Sequence, residues 1–100
     1  MKLITNFILK RNLTTKNLLG KQIKLVLYTK EDCTLCDEAK ELIEDLYPDK
    51  FNIEEVDITK NNRELFRKFK LDIPVFYFNG EFLMKHRVDK SALEKLVNQN

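Results

Sequence analysis

The spacing of apolar residues divides the chain from residue 23 onwards into alternating strand and helix patterns. The run IKLVLYT is short and rich in β-branched and aromatic residues, which indicates a buried strand. Apolar residues then recur every three or four positions from Thr34 to Tyr47, and this spacing predicts an amphipathic helix that ends before Pro48. The predicted apolar face of this helix consists of Leu35, Ala39, Leu42, Ile43 and Leu46.

The second half of the chain continues the alternation. The stretch FNIEEVDI is predicted to form a second strand, and Asn61 or Asn62 can cap a following helix that carries Phe66 and Phe69. The stretches VFYF and EFLMKHRV flank an Asn-Gly pair, which is a strong signal for a hairpin turn. A last amphipathic helix is predicted to start at residue 90 or 91.

These elements predict an α/β fold with the order β-α-β-α-β-β-α. A strand, crossover helix and strand favour parallel pairing, whereas the Asn-Gly hairpin requires an antiparallel pair. We therefore expect a mixed four-stranded sheet flanked by helices. The chain is divided into a basic leader, residues 1–22, and one folded domain, residues 23–100.

The net charge of +2 is distributed unevenly along the 100 residues. Seven basic residues and no acidic residue precede Glu31, which leaves eleven basic and sixteen acidic residues beyond position 30, a local balance of −5. Because the folded part is acidic, we expect no nucleic-acid partner. No apolar stretch approaches the roughly 20 residues that span a bilayer, so we expect no membrane span.

The leader is basic, free of acidic residues and amphipathic at helical spacing. These features resemble a mitochondrial transit peptide. The alternative is a basic tail without any targeting function, in which case the protein is cytoplasmic. The sequence leaves both locations open.

The two cysteines of the chain, Cys33 and Cys36, lie where the first predicted strand gives way to the first predicted helix. The free backbone N–H groups and the dipole of a helix start stabilise a thiolate, which lowers the pKa of a thiol from its usual value of ~8.5. Cys36 follows one turn later and can reach back to Cys33. This spacing suits a nucleophile, Cys33, and a resolving cysteine, Cys36.

Other uses of the cysteine pair fit less well. A structural zinc site needs four ligands, and beyond the two cysteines only His86 and distant carboxylates are available. A purely structural disulfide across so short a loop gains little from loop-closure entropy. We therefore predict no metal site and favour a redox pair.

The segments YTKEDCTLCDEAKELIEDL, NIEEVDIT and LDIPVFYFNG, followed by the closing amphipathic helix, resemble glutaredoxin-like proteins of the thioredoxin superfamily. The resemblance covers residues 23–100 and implies a thioredoxin-like fold and thiol–disulfide oxidoreductase activity in electron transport. It implies that Cys33 and Cys36 form the catalytic, redox-active disulfide. The expected partners are a disulfide-containing protein or a glutathione-mixed disulfide, with the chain acting as a monomer.

The resemblance also implies further site residues. Pro74 corresponds to a cis proline that faces the cysteine pair, and the backbone of Ile73 would pair with an extended substrate. Lys30 matches a lysine that contacts a glutathione carboxylate and favours the thiolate. We expect no tightly bound cofactor, with glutathione as a co-substrate, although residues 84–87 replace the Gly-Gly pair that the family carries there.

Four acidic residues surround the pair, namely Glu31, Asp32, Asp37 and Glu38. Negative neighbours oppose a second negative charge on sulfur, so we expect a reductant rather than a strong oxidant. The alternative function is a non-enzymatic thioredoxin-fold module that binds a protein partner or senses redox state, because a fold does not fix a function.

Overall fold

The computed structural model of the chain describes residues 22–60 and 62–99, and this part contains seven secondary-structure elements. They are β1 (Ile23–Thr29), α1 (Thr34–Leu46), β2 (Phe51–Asp57), α2 (Arg63–Phe69), β3 (Val75–Phe78), β4 (Glu81–Lys85) and α3 (Lys90–Gln99). This order is the predicted one. All but the last residue of the predicted leader lies outside the described residues, so the targeting prediction and the division after residue 22 remain predictions.

The four strands form one mixed sheet in the order β2-β1-β3-β4. β1 runs parallel to β2 and antiparallel to β3, and β3 pairs antiparallel with β4. The hairpin turns at Asn79 and Gly80, whose φ angles of 51° and 80° are the left-handed values that a two-residue hairpin loop requires. The prediction of a mixed sheet is confirmed.

One face of the sheet carries the larger core. Every second residue of β1 is buried, as expected for a strand with one face against a core, and Leu25 and Leu27 have no exposed surface. α1 and α3 cover this face. The buried residues of this cluster are Ile23, Leu25, Leu27, Ala39, Ile43, Phe51, Phe76, Met84, Leu93 and Leu96.

The opposite face of the sheet is covered by α2. Its smaller core consists of Ile58, Phe69 and Val75, and the ring of Tyr28 stacks on Phe69 with 4.6 Å between ring centroids. Asn62 caps α2, because its side-chain oxygen accepts the backbone N–H groups of residues 64 and 65. Helices on both faces of a mixed sheet in this order define an α/β thioredoxin-like fold.

The buried stripe of α1 is narrower than the sequence pattern predicts. The helix buries Cys36, Ala39 and Ile43, whereas Leu35 is 51% exposed and Leu42 is 39% exposed. Cys36, which the pattern did not include, belongs to the buried stripe, and the two leucines lie at the edge of that stripe. The two leucines of the predicted apolar face therefore keep much of their surface exposed.

Candidate active site

The cysteine pair lies at the edge of the sheet where β1 ends. After Thr29 a short turn leads to Cys33, which is the N-cap residue of α1, and Asp32 takes a left-handed φ of 60° in this turn. The backbone N–H of Cys36 donates to Sγ of Cys33 at 3.1 Å. The predicted helix-start geometry, in which the Cys33 sulfur faces a backbone donor, is thus present in the structure.

The two cysteines are joined by a disulfide, and their Cα atoms are 5.2 Å apart. This separation lies inside the roughly 4.4–6.8 Å range of disulfides. Cys33 is partly exposed, whereas only 1% of Cys36 is exposed. An incoming molecule can therefore approach Cys33, whereas Cys36 is buried and its sulfur is bonded to that of Cys33.

Pro74 lies at the same edge of the sheet as the cysteine pair. The Ile73–Pro74 peptide bond is cis, as the family resemblance implies. Val75 pairs with Tyr28, so in this antiparallel register Pro74 comes level with Thr29, four residues before Cys33. The strand β3 therefore brings Pro74 and Ile73 beside the loop that carries the redox pair.

The backbone around Pro74 is only partly used within the fold. The carbonyl of Pro74 accepts the backbone N–H of His86 at 2.8 Å. The N–H and carbonyl of Ile73 bond to no other residue in the part of the chain that the structure describes. Unpaired backbone groups next to a strand can accept an added extended chain.

The last residue of β4 and the residue that follows it contact the loop that precedes Pro74. Nζ of Lys85 lies 3.4 Å from Oδ1 of Asp72, and Nε2 of His86 lies 3.5 Å from the same oxygen and 3.3 Å from the carbonyl oxygen of Leu71. From the sequence, His86 is expected to be a surface or strand residue rather than a metal ligand, and this contact was not predicted. Nothing in the local pattern of either segment could have indicated it.

Two of the four acidic neighbours of the cysteine pair contact lysines. Asp37 lies 3.6 Å from Nζ of Lys40, and Glu31 lies 4.0 Å from Nζ of Lys60. The pKa of Lys40 is raised above its ordinary value, mainly by its hydrogen bond to Glu55, with the charges of Glu55 and Asp37 adding to the effect against the cost of burial. Nearby lysines therefore offset part of the negative charge around Cys33, so the net charge there is smaller than the four carboxylates alone suggest.

Exposed Lys30 directly follows β1, and its side chain has no partner among the described residues. An open groove of about 570 Å³ lies close to Lys30 in the fold. One residue of its wall, Ile58, donates its backbone N–H to the carbonyl of Thr29, the residue before Lys30, at 2.9 Å. Phe66 borders the groove and is 39% exposed. The groove is lined by Ile58, Thr59, Asn62, Arg63 and Phe66.

The described residues also bear on metal binding and on membrane insertion. Between residues 22 and 99, leaving out residue 61, no three side chains of the His, Cys, Asp and Glu types form a group that could hold a metal ion. In the same part of the chain, the helices are too short and too polar for any of them to cross a bilayer.

The fold, the disulfide at the start of α1 and the cis proline at the same sheet edge define a thioredoxin-like domain with a thiol redox role. Residues 24–98 match the family described as "Glutaredoxin-like domain (DUF836)". The chain belongs to this family of glutaredoxin-like proteins in the thioredoxin superfamily, as the sequence resemblance indicates.

Individual relatives agree with this assignment. A glutaredoxin-like protein of Dictyostelium discoideum is 42% identical over an alignment 79 positions long, and the match covers 73% of this chain and 73% of that protein. The solution NMR structure of protein Ne2328 from Nitrosomonas europaea is 26% identical with a TM-score of 0.66 and covers 77% of this chain and 93% of its own. The X-ray structure of protein XcR50 from X. campestris is 25% identical with a TM-score of 0.57, with coverages of 76% and 97%.

Proposed function

We propose that the chain is a thiol–disulfide oxidoreductase that reduces protein disulfides or glutathione-mixed disulfides through Cys33 and Cys36. The observation that carries this proposal is the unequal placement of the two sulfurs. Cys33 is partly exposed and its Sγ accepts the N–H of Cys36 at 3.1 Å, whereas Cys36 is 1% exposed. A substrate can therefore approach Cys33. Cys36 is buried, and the sulfur beside it is that of Cys33.

In the first step the thiolate of Cys33 attacks one sulfur of the substrate disulfide. A bond forms between Cys33 and that sulfur, the substrate S–S bond breaks, and the other substrate sulfur leaves as a thiolate that takes up a proton. The backbone N–H of Cys36 and the start of α1 stabilise the attacking thiolate.

In the second step Cys36 loses its proton and attacks the sulfur of Cys33. The mixed disulfide breaks, the substrate leaves as a second thiol, and the Cys33–Cys36 disulfide remains. Two electrons pass from the dithiol to the substrate. Two molecules of glutathione then regenerate the dithiol and leave as glutathione disulfide, which balances the cycle.

Ile73 and Pro74 support the positioning of an extended substrate. The backbone N–H and carbonyl of Ile73 bond to nothing else in the described part of the chain and lie at the same sheet edge as Cys33. In this proposal they pair with the substrate backbone, as an added strand does in other complexes. Pro74, which has no N–H, shapes the edge without competing for that pairing.

Lys30 and Arg63 are the proposed contacts for glutathione on the other side of the pair. Glutathione carries two carboxylates, and exposed lysine and arginine side chains bind carboxylates through charge-assisted hydrogen bonds. Arg63 lines the groove of about 570 Å³ whose wall contacts Thr29, the residue before Lys30. That volume lies within the range of sites for small molecules, roughly 300–1,000 Å³.

The test measures turnover of the full chain with a mixed disulfide of glutathione and 2-mercaptoethanol, with glutathione as reductant. We expect turnover in the wild type, none in Cys33→Ser, and retained turnover in Cys36→Ser, because glutathione can resolve the mixed disulfide itself. We also expect Arg63→Gln to raise KM for glutathione, with Arg67→Gln, an exposed arginine of α2 that does not line the groove, as the matched control.

The same proteins are then assayed for reduction of insulin disulfides with dithiothreitol, which requires both cysteines. Activity here without turnover of the glutathione mixed disulfide would leave the oxidoreductase and remove glutathione as its co-substrate. Rates at the uncatalysed level in both assays would contradict the proposal and favour a binding or redox-sensing module.

A further inference from the structure

An exposed apolar groove beside the redox pair has no role in the steps above. It has a volume of about 340 Å³ and lies between α1 and the segment that joins β4 to α3. Leu35 and Leu42 border it and are 51% and 39% exposed, although both belong to the apolar face that the helical pattern predicts. This α1 groove is lined by Leu35, Glu38, Ala39, Leu42, His86, Arg87 and Val88.

The α1 groove adjoins the active site directly. Leu35 lies between the two cysteines in the sequence, one residue after the first residue of α1. Leu42 continues the same side of the helix two turns further on, because residues seven apart lie on one face. A polypeptide whose disulfide reacts at Cys33 therefore meets the groove within a few residues of its own cysteine.

The charges at the groove indicate the chemistry of an occupant. The guanidinium group of Arg87 has no partner among the described residues. Two carboxylates of the surrounding loops are already in use: Asp72 contacts Lys85 and His86, and Asp89 caps α3 by accepting the N–H groups of Ser91 and Ala92. Glu38 lines the groove as well but forms no ion pair with Arg87. An unpaired arginine at an exposed apolar groove is complementary to an acidic side chain.

We propose that the α1 groove binds the polypeptide that flanks the reactive disulfide of a protein substrate and selects an apolar residue together with an acidic one. The apolar side chain packs against Leu35 and Leu42, and the carboxylate pairs with Arg87. This inference rests on the proposed function, since the bound chain is the substrate of the same cysteines. The reaction is the one written above: the dithiol gives two electrons to the substrate disulfide and becomes the Cys33–Cys36 disulfide.

The test uses the reduced full chain in single turnover, so no further reductant takes part. Three peptides are prepared as symmetric disulfide dimers: Asp-Leu-Cys-Leu-Asp, Lys-Leu-Cys-Leu-Lys and Asp-Ser-Cys-Ser-Asp. Hydroxyethyl disulfide, which has no flanking residues, is the reference. Acid quenching and chromatography give the second-order rate constant for each disulfide, and the preference is the ratio of a peptide's constant to that of the reference.

We expect the Asp-Leu peptide to react about tenfold faster, relative to the reference, than either of the other two peptides. Leu42→Ser should remove the advantage over the serine peptide, and Arg87→Glu should reverse the advantage over the lysine peptide. Both side chains are exposed, so both variants are expected to fold. The matched controls are Leu71→Ser, an 83% exposed leucine outside the groove, and Lys95→Glu on α3. Both should keep the wild-type preference.

The outcomes separate the two proposals. If hydroxyethyl disulfide is reduced but the three peptides react alike, the groove does not select the substrate, while the oxidoreductase stands. If no disulfide is reduced, the proposed function fails and the inference falls with it. Sedimentation at the assay concentration adds one further outcome: a dimer of the wild type that Leu42→Ser dissociates would mean that a second copy occupies the groove, and the inference would be wrong.

Discussion

The backbone N–H of Cys36 points at Sγ of Cys33 over 3.1 Å, so the first turn of α1 supplies a donor to the sulfur that caps it. This contact is a property of helix starts rather than of cysteine. The N-terminal N–H groups of a helix have no partner within the helix, and an N-cap side chain normally accepts one of them. A thiolate in this position gains the hydrogen bond and the favourable end of the helix dipole together.

The first prediction is that the thiol of Cys33 has a pKa below ~8.5 in the reduced protein. The rate of alkylation by iodoacetamide as a function of pH measures this value, with Cys36→Ser used so that only one thiol reacts. Asp32→Asn should lower the pKa further, by a few tenths of a unit, because it removes a negative charge from the exposed residue next to Cys33, where water screens the interaction to below about 1 kcal/mol.

Asparagine accepts the left-handed conformation that Asp32 adopts, so this substitution changes the charge without straining the turn. Asp45→Asn, at the far end of α1, is the matched control and should leave the alkylation profile unchanged. A pKa of Cys33 at or above the ordinary thiol value would show that the acidic neighbours outweigh the helix start.

Local features of the sequence determine the order of elements and the place of the cysteines. The Asn-Gly turn, the Asn62 cap and the period of β1 each depend on residues that are neighbours in the chain, and each could be predicted. The contact between Asp72 and His86 could not, because it joins two irregular segments that the sheet brings together. The exposure of Leu42 could not be predicted either. Periodicity shows which side of a helix is apolar, but it does not show how much of that side the neighbouring elements cover.

The second prediction tests the difference in burial between the adjacent residues Leu42 and Ile43. Ile43 is 1% exposed and Leu42 is 39% exposed. Ile43→Ala should lower the free energy of unfolding by about 2–5 kcal/mol, the usual cost of truncating a buried aliphatic side chain. Leu42→Ala should cost less than about 1 kcal/mol, because less of its surface is removed from water. Urea unfolding gives both values, and equal costs would mean that Leu42 is covered in solution.

The third prediction concerns Asp57 at the end of β2. The pKa of this carboxyl is lowered from its ordinary value of 3.8, first by the hydroxyl of Thr59 and then by the backbone N–H of the same residue. A lowered pKa in the folded state stabilises the protein above the unfolded-state value, and the contribution is lost as the pH falls through the folded-state value. Thr59→Ala should therefore raise the pKa of Asp57, which carbon-13 NMR of the carboxyl measures.

The same reasoning fixes the pH dependence of stability. Thr59→Ala should melt below the wild type at neutral pH, and the difference should narrow as the pH falls below the pKa of Asp57. Thr59→Ser keeps the hydroxyl and should follow the wild type throughout. A gap that stays constant down to acid pH would show that the hydroxyl acts on packing rather than on the carboxylate.

The last prediction concerns His86, in the segment that joins β4 to α3. His86 adopts a left-handed φ of 67°, a conformation that glycine takes without strain and that other residues take at a cost. His86→Gly and His86→Ala both remove the ring contacts with Asp72 and Leu71, so the comparison between them isolates the backbone. The glycine variant should be more stable than the alanine variant by about 1 kcal/mol, since alanine at a positive φ is strained. Urea unfolding of the two variants measures the difference, and an equal or reversed order would mean that the left-handed conformation at His86 is not kept in solution.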